Sequence, residues 1–288
     1  MTVKTILAPV TGADEGLAGL DAAFQLGAHL GAHVEGLHAR RDARDALAYI
    51  GEGMTGAMIE ELITTAEEES DQSTRRARRD FSAACDKAGF EQTDRIGEAG
   101  ALTAHLIIET GPEDERIALR GRVADMIVVT RVAKDGDSAM RATLEGALLD
   151  SGSPLFVVPP EGMAGRLSSA AIAWNGSAEV ARAVSLALPL LVKTETVFVL
   201  RIEEGLRPGP SADELVAYLA RHGIGATVHP TQSNHLPTGN ALLSDAKAVE
   251  ADFLVMGAYT HGRLRRMIMG SATEQVLGAA TLPVLMTP

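Results

Sequence analysis

A chain of 288 residues with 46% hydrophobic and 22% charged residues has an ordinary globular composition, and its length suits two domains better than one. The formal net charge of -12 argues against nucleic-acid binding, which requires a basic surface. The only cysteine, Cys85, allows neither an intrachain disulfide nor a CxxC motif, and we expect it to be a buried thiol. Because we find no secretion signal and no apolar run of membrane-spanning length, the sequence predicts a cytoplasmic protein without a membrane partner.

Predicted strands and helices alternate along the first half of the chain. Short apolar runs bounded by turn residues predict strands, and apolar residues three and four positions apart predict helices. In chain order they give a strand at 3–10, a helix at 14–30, a strand at 33–40, a long charged helix at 55–89, a strand at 92–98, a helix at 113–123, a strand at 125–130, a helix at 140–151 and a strand at 154–160.

The second half repeats this order. Two of its helices carry start signals, because Ser177 is a natural N-cap and Ser211 forms a capping box with Glu214. The predicted elements are a strand at 169–175, a helix at 177–191, a strand at 196–202, a helix at 211–222, a strand at 224–231, a helix at 240–250, a strand at 252–257, a helix at 270–280 and a strand at 282–288.

The two halves also match in detail, since DMIVVT at 125–130 corresponds to DFLVMG at 252–257. We therefore predict an α/β protein of two tandem doubly wound parallel-sheet domains, residues 1–160 and 161–288, with a Pro- and Gly-rich linker at 159–168. We expect the final strands of the two domains to pair as an internal pseudo-dimer, because exposed strand edges need covering. A homodimer of the whole chain is left open.

The segment at 256–274, MGAYTHGRLRRMIMGSATE, has the composition of an anion-binding site. Gly257, Gly262 and Gly270 let backbone N–H groups approach phosphate oxygens closely, and a helix that opens after Gly270 adds unpaired N–H groups. Further donors come from three side chains of the same segment: Arg263, Ser271 and Thr273. On local physics alone, a Gly-rich connection with solvated arginines fits equally well.

The segment resembles the nucleotide loop of universal stress proteins, whose pattern is Gly-x-x-Gly, nine residues, then Gly-Ser or Gly-Thr. Gly257, Gly270 and Ser271 match this pattern. Thr260 stands in place of the second glycine, and Gly262 follows two positions later. A Cβ at Thr260 narrows the approach to a phosphate unless Gly262 takes over that role.

The resemblance covers essentially the whole chain and is strongest at 169–192 and 252–288. The stretch AWNGSAEVARAVSLALPLL (173–191) is similar to the start of the second domain in tandem bacterial members. The resemblance implies an adenine nucleotide α-hydrolase-like fold that holds ATP or a related adenine nucleotide, with or without Mg²⁺, at the carboxyl ends of the strands. It also places Asn175, where many members have Asp, near the base and ribose. We interpret Trp174 as a core residue.

The first half lacks this loop. Thr130 replaces the first glycine, and Arg141 with Ala142 stands where the second half has Gly-Ser. We therefore interpret the first half as degenerate for nucleotides. The histidines do not show metal-ligand spacing, so no metal site is expected, and no catalytic residue can be assigned from a motif.

Three functions are consistent with these residues. The first is a stress-response module that binds an adenine nucleotide through its C-terminal domain. The second is a slow ATP hydrolase, for which arginines could clamp the phosphate but no general base can be named. The third is a non-nucleotide scaffold or small-metabolite-binding protein, which Thr260 and the degenerate first half favour. The sequence favours binding over catalysis.

Overall fold

Helices and strands alternate along the chain in the computed structural model. The structure describes residues 2–42, 44, 55–94, 101–132, 136–163, 167–202, 208–231, 236–258 and 272–288. The first half contains β1 (Thr5–Pro9), a 3-10 turn (Asp14–Gly16), α1 (Leu17–Leu30), β2 (His33–Arg40), α2 (Gly56–Ala88), β3 (Glu91–Gln92), β4 (Thr103–Thr110), α3 (Glu113–Gly121), β5 (Met126–Thr130), α4 (Ser138–Asp150) and β6 (Leu155–Val158).

The second half repeats the alternation and confirms its two helix-start signals. Ser177 accepts the N–H of Val180, and the Ser211 and Glu214 side chains accept each other's backbone N–H. Its elements are β7 (Ser169–Trp174), α5 (Ala178–Leu191), β8 (Thr196–Ile202), α6 (Ala212–Arg221), β9 (Ala226–Thr231), α7 (Thr238–Ala248), β10 (Phe253–Gly257), α8 (Ala272–Ala279) and β11 (Val284–Thr287).

The strands form one eleven-stranded sheet in the order β3-β4-β2-β1-β5-β6-β11-β10-β7-β8-β9. Within each half the paired strands are parallel, and the first strand lies in the middle: β1 between β2 and β5, and β7 between β8 and β10. Connections therefore leave the first strand towards both sides, which is the doubly wound arrangement. The predicted α/β fold class is confirmed.

The strands β6 and β11 join the two halves. They run antiparallel, with Val157 opposite Val284 and Phe156 opposite Leu285, as expected for the two final strands. Every residue of β6 and β11 is buried. The pairing covers what would otherwise be an exposed edge strand in each half. Because the sheet is continuous, the division into domains at residue 160 stays a prediction.

Helices cover both faces of this sheet. On one face α1, α2, α5 and α6 pack around apolar residues such as Phe24 and Leu190, and on the other face α3, α4, α7 and α8 pack around residues such as Leu148. Phe156 and Phe253 continue the first layer across the joint, with ring centroids 6.4 Å apart. Within the described ranges, no helix combines the length and the apolarity needed to cross a membrane.

The third strand of the first half was predicted wrongly. The expected strand at 92–98 is reduced to β3, which ends at Gln92, and residues 95–100 lie outside the described part of the chain. The strand that pairs with β2 is β4, in register from Val34–Ala104 to Arg40–Thr110. Only the short β3 lies beyond β4, so this strand is mostly half-buried and lacks the continuous apolar run by which central strands are recognised.

Asp125 and Asp252 explain why the repeated segments both begin with aspartate. The Oδ2 atom of Asp125 accepts the backbone N–H groups of residues 4–5, at 2.7 and 3.0 Å. The Oδ2 atom of Asp252 accepts those of residues 168–169, at 2.7 and 2.8 Å. Each carboxylate therefore satisfies the donors at the start of a central strand, β1 or β7, and fixes the strand that follows it beside that central strand.

We expect Asp125→Ala and Asp252→Ala each to lower the free energy of unfolding by about 1–3 kcal/mol, because each leaves backbone donors without their charged acceptor. The two losses should add, because the two carboxylates serve different strands. Urea unfolding of the single and double variants measures this. Glu61→Ala removes the same charge from an exposed site on α2 and should change stability by less than about 0.5 kcal/mol. Aspartate variants as stable as that control would contradict the assigned role.

Candidate functional site

The carboxyl ends of β7 and β10 form the candidate site of the second half. These strands are neighbours, and the helices that follow them, α5 and α8, pack on opposite faces of the sheet. The connections from these two strands therefore lead to opposite faces of the sheet, and ligands of doubly wound sheets bind in the crevice at such a point. Asn175 and Gly176 follow β7 at this edge, and Gly257 ends β10.

The turn after β7 is held by its own polar groups. The Oδ1 atom of Asn175 accepts the N–H of Ser177 at 3.0 Å, and Gly176 has a φ of 78°, in the left-handed region that favours glycine. The Asn175 oxygen thus shapes the turn, which leaves its NH₂ group for a ligand. Trp174 is buried and its indole N–H donates to the carbonyl of Pro210 at 2.9 Å, so it is a core residue, as predicted.

Gly257 has a packing role at the end of β10. A Cβ built on it would lie 2.7 Å from the backbone nitrogen of Val180 and 2.8 Å from the Cβ of Glu179. The first turn of α5 therefore rests directly on the backbone of Gly257. The sequence predicts that this position lacks a side chain so that a phosphate can come close to its backbone. The contact with α5 is a second reason for a glycine here.

Of the predicted nucleotide-binding residues, the structure describes Asn175, Gly257 and Thr273. Thr273 is buried in the first turn of α8. The other five predicted residues lie outside the described part of the chain: Thr260, Gly262, Arg263, Gly270 and Ser271. The structure thus brings Asn175 and Gly257 to neighbouring strand ends.

The first turn of α8 is tied to α7. The side-chain oxygen of Gln275 accepts the N–H of Gly239 at 2.8 Å. A Cβ on Gly239 would lie 2.6 Å from the Cβ of Gln275 and 2.7 Å from the carbonyl oxygen of Ala272, so the two helices touch at this point. The end of α8 that follows the Gly-rich segment therefore has a fixed place in the helix layer.

The equivalent crevice of the first half is closed. Thr130, at the end of β5, accepts the N–H of Gly19 at 2.9 Å through its hydroxyl, which also lies 3.4 Å from the carbonyl oxygen of Gly16. A Cβ on Gly19 would lie 2.7 Å from the nitrogen of Thr130, so here the helix rather than the strand carries the glycine. The remaining cavity has a volume of about 10 Å³, which is room for about one water molecule.

A carboxyl group lines this closed crevice. Glu113, the first residue of α3, accepts a 2.8 Å hydrogen bond from the hydroxyl of Thr143. Burial raises the pKa of Glu113, with a smaller contribution from nearby Asp137, while the Thr143 bond and Arg41 oppose the shift. A carboxyl at this position disfavours an anionic ligand. The sequence analysis missed Glu113, because nothing in its local pattern shows that it faces the end of β5.

The described residues add no other reactive centre. Among them there is no group of three side chains that could hold a metal ion. Cys85 is fully buried, and burial raises the pKa of its thiol to about 12. A thiol with so high a pKa is a poor nucleophile, in agreement with the expected core role.

The repeated strand order and the crevice at its carboxyl edge define an α/β protein of doubly wound type. The model of the Universal stress protein family matches residues 203–288. Universal stress protein Rv2319c of Mycobacterium tuberculosis and Universal stress protein Mb2346c of Mycobacterium bovis are each 33% identical over 78 residues, which is 27% of this chain and 27% of each relative. The C-terminal region of the chain is therefore similar in sequence to universal stress proteins. The match spans about a quarter of the length of these curated relatives.

Solved structures extend the likeness in fold to the whole chain. A universal stress protein from Archaeoglobus fulgidus has a TM-score of 0.66 at 17% identity, over 99% of this chain and 96% of that one. A putative universal stress protein from Pseudomonas aeruginosa has a TM-score of 0.50 at 14% identity, over 99% and 93% of the two chains. Identities this low show the fold alone. Another universal stress protein, solved in complex with cAMP, has a TM-score of only 0.36, and its ligand carries no argument for this chain.

We expect Gly257→Ala to destabilise the protein by about 1–3 kcal/mol, because its Cβ meets the backbone of α5 rather than a side chain that can move. The matched control is Gly278→Ala in α8, where an added Cβ meets nothing within 4 Å and should leave stability unchanged or slightly higher. Thermal or urea unfolding of both variants compares them. Equal stabilities would refute the packing role of Gly257.

We expect Glu113→Gln to stabilise the protein near neutral pH. Because the folded-state pKa of Glu113 is raised, the unfolded chain ionises first, and wild-type stability falls as the pH rises from the ordinary glutamate range to the folded-state value. The advantage of the glutamine variant over wild type should therefore grow across that window and vanish below it. Glu115→Gln, on the exposed side of the same helix turn, is the control. An equal pH dependence for the two variants would contradict the raised pKa of Glu113.

Proposed function

We propose that the C-terminal half is a stress-response binding module for ATP or a related adenine nucleotide, with or without Mg²⁺ on the phosphates. The observation that carries this proposal is that β7 and β10 lie side by side, so that their ends mark the point where the strand order reverses. The Gly-rich segment 257–271 connects the end of β10 to α8 in the sequence. Glycines and the start of a helix after β10 provide backbone N–H groups for phosphate oxygens. The universal stress protein family match over residues 203–288 includes this segment.

The contrast between the two halves supports assigning the ligand to the second. In the first half Thr130 fills the crevice and Glu113 lines it, whereas in the second half β10 ends in a glycine followed by a segment with Arg263, Arg265 and Arg266. A phosphate is favoured by guanidinium groups and disfavoured by a carboxyl. The first half then serves as a structural partner, so that the chain forms an internal pseudo-dimer through β6 and β11.

Binding without turnover is the function that these residues favour. Hydrolysis of ATP needs a group that orients the attacking water, together with a cation on the transferred phosphate. The arginines of the segment supply candidates for the cation, but no residue is assigned to orient the attacking water. The bound nucleotide would then act by changing how the module binds other molecules.

Thermal unfolding with ATP tests the proposal. A ligand at about 100 times its dissociation constant should add about 2.7 kcal/mol to the free energy of unfolding, which raises Tm by several degrees. Gly270→Asp places a carboxylate and a Cβ in the predicted phosphate position and should abolish the shift. Arg122→Ala, at an exposed arginine of the first half, changes the net charge by the same amount and should keep the wild-type shift.

The same experiment separates the alternatives. The absence of any shift at millimolar ATP in the wild-type chain would overturn the nucleotide proposal and favour a different small metabolite. Phosphate release above background that disappears in Gly270→Asp would show a slow hydrolase instead of a pure binding module.

A further inference from the structure

The first half of the chain holds the C-terminal end of α8. Arg131 follows β5, where its backbone N–H donates to the carbonyl of Val158 at 2.6 Å and so continues the ladder with β6. Its Nη1 atom crosses the joint between the halves and donates to the carbonyl oxygens of Leu277 and Gly278, at 3.4 and 3.2 Å. The last carbonyls of a helix lack partners within the helix, and a cation is favourable there. Arg131 therefore caps α8 from the other half of the molecule.

A second arginine of the first half reaches the opposite end of the same helix. In α4, the Nη1 atom of Arg141 lies 4.0 Å from the carboxylate of Glu274, in the first turn of α8. Both side chains are partly exposed, so this ion pair contributes little by itself. Its position matters more than its strength, because it gives α8 a contact with the first half at each end.

Among the described residues, this support runs from the first half to the second. The residue equivalent to Arg131 in the second half is Ala258, whose N–H donates to the carbonyl of Thr287 at 2.7 Å just as that of Arg131 donates to Val158. Alanine has no side-chain donor, so this position offers nothing to α4. At the end of α4, a residue of its own half, Ser151, donates to the carbonyl of Ala147. Within the part of the chain that the structure describes, the cross-half cap thus serves the helix that follows the Gly-rich segment.

From this asymmetry we infer that Arg131 is a positioning residue for the nucleotide site of the second half. This inference rests on the proposed function. A helix offers its N-terminal N–H groups to an anion only while its axis is held in place, and α8 is just two turns long. Gln275 ties the first turn of α8 to α7, and Arg131 holds its far end against the first half, so the orientation of the phosphate-binding end depends on both contacts. By linkage, bound nucleotide strengthens the contact between Arg131 and α8 to the same extent.

Hydrogen exchange and calorimetry on the full chain test this role. In Arg131→Ala, the amides of residues 272–279 should exchange faster without ligand, and the Kd for ATP should rise by about twofold to fivefold, the range expected for a cation lost from a helix end. Arg131→Lys keeps the cation and should recover most of both effects. Arg122→Ala removes an exposed arginine of the same half and should match wild type in both measurements.

The outcomes separate this inference from the proposed function. Wild-type protein that binds no nucleotide overturns the proposed function, and with it any role of Arg131 in binding. Unchanged exchange of α8 in Arg131→Ala overturns the capping role whether or not nucleotide binds. Faster exchange with an unchanged Kd overturns the link between the two halves and leaves Arg131 as a structural cap.

Discussion

The antiparallel pairing of β6 with β11 is the contact on which the rest of the structure depends. Each of these strands is apolar and fully buried, and each would be the exposed edge of its half without the other. Pairing turns two parallel sheets into one, and it lets the apolar layer that contains Phe156 and Phe253 continue across the joint. Because β6 and β11 run antiparallel, the carboxyl edges of the two halves face in opposite directions. The end of β5 then lies beside the end of α8, where Arg131 makes its contacts.

A second constraint is the close approach of the first helix of each half, α1 or α5, to the strand that lies beside the first strand, β5 or β10. In the first half the helix carries the residue without a side chain, Gly19, which lies against Thr130. In the second half the strand carries it, because Gly257 lies against Val180. The two solutions have different consequences at the carboxyl edge. A threonine hydroxyl closes the first crevice, whereas the second strand ends without a side chain.

The same duplicated framework has therefore been specialised unequally. The aspartates before β5 and β10 perform the same task in both halves, which is to fix the start of the central strand. The described groups at the carboxyl edge differ: Glu113 and Thr130 in the first half, and Asn175 and Gly257 in the second. Residues that build the sheet are shared, because both halves need the same strand order. Residues that meet a ligand are not bound by that requirement.

The sequence by itself determined the alternation of strands and helices, the duplication and the pairing of the final strands, because apolar periodicity, caps such as Ser177 and repeated segments are local signals. It also identified Trp174 as core and showed the resemblance of the C-terminal region to universal stress proteins, which the family model matches. It missed β4, because a strand near the sheet edge is only half-buried and has no continuous apolar run. Only the tertiary structure decided that Gly257 meets α5, that Glu113 lines a closed crevice and that Arg131 caps α8. These are contacts between residues far apart in the chain, and no local pattern records which distant backbone a side chain will face once the sheet has formed.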